Sequence, residues 1–108
     1  MKRSNLKNMI KGWFVGDFAP TMFNSPDVEV GVKHYKAGDV DQAHYHKIAR
    51  EITCIIAGKV EMCGQVLEAG DIIEVEPNEI NSFKALQDTT LVVVKLPSVK
   101  GDKYLLED

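Results

Sequence analysis

Two histidines one residue apart, His44 and His46, are followed by Glu51 and bracketed by Gly38 and Gly58. Successive side chains of a β-strand point to opposite faces, so His44 and His46 project from the same one. Glu51 rejoins that face once the chain turns and begins the apolar run Ile52 to Ala57. One strand-turn-strand unit can therefore aim two imidazoles and a carboxylate at a common point, which predicts a metal site. Neutral imidazoles with a carboxylate suit Zn, Mn, Fe, Co or Ni. Two His and one carboxylate is also the ligand set of non-haem iron oxygenases.

The rest of the chain reads as short strands. Val28, Val30 and Val32 alternate with Glu29, Gly31 and Lys33, a period of two, and further β-type runs cover Ile52 to Ala57, Lys59 to Met62, Ile72 to Val75 and Leu91 to Leu96. Turns are expected at Ala57-Gly58-Lys59, Cys63-Gly64-Gln65 and Ala69-Gly70-Asp71. Short strands at this spacing predict an all-β sandwich or barrel. One short helix is expected over Asn5 to Lys11, capped by Ser4, and the aromatic segment from Trp13 to Phe23 is expected to lie across a sheet or reach a partner subunit.

Strand parity makes further assignments. With the valines of the first strand facing inward, His34 shares their face and offers a further imidazole or a proton carrier; a partly exposed histidine at a strand end is the simpler reading. Tyr35 and Tyr45 fall on the opposite parity from His34 and from the paired histidines, and are expected to face away from the metal. Glu74 and Glu76 share the parity of Ile72, so one of them can enter the cavity, although solvation is the default for both. No Ser-His-Asp set, phosphate-cradling glycine loop or dinucleotide fingerprint occurs in the sequence.

Length and charge exclude several classes. A chain of 108 residues with 44% hydrophobic and 27% charged residues suits one domain with one core. The net charge is -3, but the first twelve residues carry four cations and no acid, leaving nine basic against sixteen acidic residues, a balance of -7. Such a body repels polyanions, so nucleic acid is not expected as a partner. No apolar run is long enough for a membrane helix or a signal peptide, so a cytoplasmic protein without membrane partners is expected. Cys54 and Cys63 lack a CxxC spacing and are read as reduced thiols.

The spacing Gly38-(x5)-His44-x-His46-(x4)-Glu51-(x6)-Gly58 resembles the first motif of the cupin superfamily, with every position filled. The second cupin motif is partly present. Gly70 and Asp71 open it, Pro77 falls within it and Phe83 closes it, but Asn78 stands at its glycine and Asn81 at its histidine. The resemblance implies a double-stranded β-helix, a jelly-roll barrel, over residues 1-108 as a single cupin domain, with 1-23 as an N-terminal arm. It implies one divalent transition metal (Zn, Mn, Fe, Ni or Co) held by His44, His46 and Glu51, with Asn81 as a weaker fourth donor or a group behind the ligands. It also implies a homodimer built on outward-facing positions such as Ile52, Cys54 and Ile56, together with the aromatic N-terminal segment. The expected function is a metal-binding enzyme acting on a small carbohydrate or sugar-derived ligand, of isomerase or epimerase type, with no catalytic residue assigned. A non-haem iron dioxygenase and a non-catalytic ligand-binding or sensing cupin are the alternatives.

Overall fold

The computed structural model describes residues 1–106. Among them are ten strands: β1 (Trp13–Val15), β2 (Glu29–Tyr35), β3 (Val40–Tyr45), β4 (Arg50–Ala57), β5 (Lys59–Met62), β6 (Gln65–Glu68), β7 (Ile72–Val75), β8 (Asn81–Ala85), β9 (Thr89–Leu96) and β10 (Tyr104–Leu105). They form two antiparallel five-stranded sheets, ordered β1-β2-β9-β4-β7 and β10-β3-β8-β5-β6. From β2 to β9 nearly every connection crosses from one sheet to the other, winding the chain into a double-stranded β-helix. The exceptions are β5 and β6, paired as a hairpin around Cys63-Gly64, whose φ values of 52° and 75° match the two-residue turn that suits strand twist.

The motif glycine Gly58 is required by space as well as by conformation. At φ 100°, a Cβ there would sit 2.3 Å from the Asp88 carbonyl oxygen. The core lies between the sheets, with Ile55 and Val60 fully buried. Met62, Phe83, Leu91 and Val93 belong both to this core and to the floor of a cavity above it. Burial of each such side chain stabilises the fold by roughly 1.5 to 3 kcal/mol, so the floor is rigid.

The expected helix is a single 3-10 turn, Leu6–Asn8, capped by Asn5 rather than Ser4: the Asn5 side-chain oxygen accepts from the Lys7 N–H at 2.9 Å. None of its residues is buried, so no apolar contact favours a longer helix. The N-terminal segment instead contributes β1 to the edge of a sheet, pairing Trp13 with Gly31. No helix among the described residues is long and apolar enough to cross a membrane.

The parity of β2 is the reverse of the valine-inward expectation. Glu29 and Gly31 are buried, while Val30 and Val32 are half-covered on the outer face. Apolar alternation misleads here because this outer face is itself covered: Leu6, Met9, Phe14 and Met22 surround a groove against Val32.

Candidate functional site

β3 delivers His44 near its end, His46 follows the strand directly, and Glu51 is the second residue of β4. Asn81 opens β8 and is the Cα partner of His44. All four side chains are buried, with 3% to 9% of their surface exposed. They line one cavity of about 520 Å³. The sequence-predicted residues thus come together inside the barrel.

The tautomer of His44 follows from its partner. Its Nδ1 lies 2.8 Å from the Gln42 carbonyl oxygen, which can only accept, so Nδ1 carries a proton and Nε2 is the nitrogen that holds the lone pair whenever the ring is neutral. The His46 ring stands edge-on to it, with centroids 5.2 Å apart at 83°. Burial, aided by Lys95 and His44, lowers the His46 imidazolium to about pKa 4, so this ring is neutral near pH 7.

The Asn81 amide is held by two neighbours. Its amide NH2 donates to Glu51 Oε2, and its oxygen faces the Cys63 thiol at 3.7 Å. A carboxylate accepts only, which fixes the amide in this sense. Burial raises the Glu51 carboxyl, against the opposing pull of Lys95, His44 and the Asn81 bond. No Lys or Arg pairs with Glu51 among the described residues. A buried carboxylate without a cation costs several kcal/mol. Two imidazoles beside such a carboxylate fit a divalent transition ion in donor chemistry, and His44, His46 and Glu51 are the residues that would hold it. Among the described residues, no three His, Cys, Asp or Glu side chains are already gathered as a closed metal-binding cluster.

The loop between His46 and Glu51 is pinned from two sides. Asp102, itself buried, accepts from the backbone N–H groups of Lys47, Ile48 and Ala49 at 2.9, 3.1 and 2.8 Å. Burial pushes the Asp102 carboxyl up, but these three donors outweigh it and hold it below the usual carboxylate range. The His46 carbonyl accepts from the N–H of Asn78 at 2.7 Å. Asn78 has a φ of 71°, so the residue standing at the motif's glycine adopts a left-handed conformation, which Asn tolerates better than most residues.

The cavity wall carries groups that sequence parity misassigned. Glu51, Lys95 and Glu29 are cross-strand neighbours on the inner face of β4, β9 and β2, and Lys95 pairs with Glu29 at 3.6 Å. Tyr35 faces in, packed on Phe83 at 4.5 Å between ring centroids, and is pushed up to about pKa 12 by burial and by Asp41 and Glu51. His34 faces out, exposed, against the Thr90 hydroxyl at 3.0 Å. Glu74 and Glu76 are also exposed, with Glu74 beside Arg50, so neither enters the cavity. Tyr45 stacks on Tyr104, away from the histidines as expected. One sequence signal could have found Lys95: a charge in the apolar run Leu91 to Leu96, on the parity of Leu91 and Val93. Asp102 has no comparable signal.

No family model matches the chain, and no curated protein matches its sequence. Solved structures do. A conserved protein with a double-stranded β-helix domain from Klebsiella pneumoniae shares 25% identity at a TM-score of 0.70, over 78% of this chain and 74% of that one. KdgF from Halomonas sp. shares 23% at 0.62, over 68% of this chain and 72% of that one. The DMSP lyase DddQ from Ruegeria pomeroyi shares 21% at 0.69, over 84% of this chain and 48% of that one. The two antiparallel sheets and this likeness give the chain the double-stranded β-helix fold of these structures, the fold that the complete first motif and its resemblance to the cupins led one to expect.

Proposed function

We propose that this protein is a metal-binding cupin enzyme acting on a small carbohydrate or sugar-derived substrate, of isomerase or epimerase type. The observation that carries the reading is the pair of imidazoles, His44 and the neutral His46, sharing one cavity with a buried carboxylate that has no ion-pair partner among the described residues. His44, His46 and Glu51 would hold a divalent ion there, which would supply Lewis-acid polarisation of a substrate carbonyl or hydroxyl. The chain's own residues set the conditions. The Gln42 carbonyl orients His44, Asn81 orients Glu51, and the apolar floor excludes water from below. The test begins with elemental analysis of protein purified without a tag or added metal. Aldoses, ketoses and their phosphates are then followed by NMR with metal-loaded and metal-stripped protein. Metal in the purified protein, with metal-dependent conversion of one substrate, supports the reading. No retained metal after reconstitution with Zn, Mn, Ni and Fe sinks it.

The Asn81–Glu51 bond favours a second reading, a non-catalytic ligand-binding module in which the pair is a satisfied polar core. Ligand binding unchanged by complete metal removal is its mark.

A homodimer is part of the same proposal. On the outer face of β9, β4 and β7, beyond the part that the N-terminal segment covers, Val94 and Ile52 form one cross-strand row, and Val92, Cys54 and Ile72 form the next. Ile56 and Ile72 are 53% and 68% exposed, an apolar surface that a second copy would cover.

A further inference from the structure

Across the mouth of the cavity, the Trp13 indole packs on the inner face of Gly31, so closely that a Cβ at position 31 would lie 2.8 Å from a ring carbon. Two ammonium groups gather at this ring: Lys33 Nζ is 4.2 Å and Lys95 Nζ 5.9 Å from its centroid. All three residues line the cavity that holds His44, His46 and Glu51. Lys95 is neutralised by Glu29. Lys33 is different. Its ammonium donates to the Lys11 carbonyl and rests on the indole, and among the described residues no carboxylate lies within ion-pair distance of it.

A carbonyl dipole and a ring quadrupole stabilise an ammonium less completely than a counter-ion does. Burial draws the Lys33 ammonium down to about pKa 8, Lys11 and Lys95 acting in the same direction and Asp41 and Glu29 against it. It remains mostly charged at pH 7. A partly desolvated cation inside a ligand-sized cavity, with spare N–H donors and no anionic partner, is one half of an ion pair.

We propose that Lys33, supported by Trp13 and Lys95, binds the anionic group of the ligand, so that the substrate is a sugar acid or sugar phosphate rather than a neutral sugar. The proposal rests on the carbohydrate reading above and adds the charge of the substrate. Carboxylate and phosphate share the chemistry that an ammonium recognises, and the choice between them is made by measurement.

Trp13 is the chain's one tryptophan, so its emission reports on this wall directly. The experiment titrates metal-stripped and zinc-loaded protein with D-galacturonate, galactose 6-phosphate and D-galactose, following Trp13 fluorescence. At least one anionic sugar should change the emission saturably, the tighter of the two identifying the anion, while galactose at equal concentration should not. Lys33→Met should weaken that binding about 10-fold or more, the scale of a lost charge-assisted contact. Lys33→Arg should retain most of it, and unchanged thermal midpoints would confirm folding. Galactose binding as well as the anions, Lys33→Met binding as tightly as wild type, or no response to either anion overturns the proposal. The metal reading fails separately: a chain that binds no zinc but still binds galacturonate through Lys33 loses that reading and keeps this one.

Discussion

Asn81, on β8 of one sheet, donates its amide NH2 across the barrel interior to the Glu51 carboxylate on β4 of the other. The second cupin motif expects an imidazole at position 81. In its place stands a hydrogen-bond donor that holds Glu51. Asn81→Ala removes the donor and should destabilise the protein by about 1 to 3 kcal/mol at pH 7, and by less once the carboxyl is protonated. Urea unfolding at pH 7 and pH 4 measures both values. An equal loss at the two pH values would count against the bond.

Asn81→His offers a third imidazole beside His44 and should tighten zinc binding about 10- to 100-fold. His44→Ala or His46→Ala should remove most of the metal. Isothermal titration with zinc checks all three variants. Equal affinity for wild type and Asn81→His would show that residue 81 does not reach the ion.

The metal-stripped protein should lose stability on mild acidification through His46. Its folded value of about 4 lies below the ordinary 6.5, so the folded state binds this proton less readily than the unfolded state. The stability from neutral His46 is therefore complete above pH 6.5 and is lost as pH falls toward 4, by at most about 3 kcal/mol. Glu51, with its carboxyl raised, acts in the opposite direction above its ordinary 4.5. Comparing wild type with His46→Gln between pH 7 and pH 4.5 isolates the histidine, and parallel curves would exclude its role.

Asp102→Ala strands three backbone N–H groups and should cost about 3 kcal/mol. Amide exchange at Lys47, Ile48 and Ala49 should accelerate, and Asp102→Asn should recover part of the loss. Unchanged exchange at these amides would show that the loop does not depend on Asp102.

If two copies meet on the outer sheet face, light scattering should report about twice the chain mass, and Ile52→Lys or Ile72→Lys should halve it. A monomeric wild type at high micromolar concentration removes the dimer.

Much of the fold was legible because its punctuation is local. The motif glycines, the Cys63-Gly64 turn and the apolar runs each specify their own conformation, and they placed His44, His46 and Glu51 in one cavity. Inward and outward faces were less legible. Val30 and Val32 sit outside and Glu29 and Lys33 inside, because N-terminal side chains cover the outer face of β2 while Lys95 and Trp13 stabilise charges within the barrel. Polarity alone cannot order two faces when both are covered. The opposing surface that decides between them is formed by residues distant in sequence, as the pairing of Trp13 with Gly31 shows.

The Asp102 clamp has a temporal meaning for a chain made from its N-terminus. Lys47 and its acceptor are 55 residues apart, so the His46 loop leaves the ribosome long before the group that fixes it. Until residue 102 emerges, only water serves these three amides, and the nascent chain has its imidazoles without the clamp beside His46. The segment beside His46 is therefore fixed late, once the stretch that carries Asp102 into β10 has joined the fold.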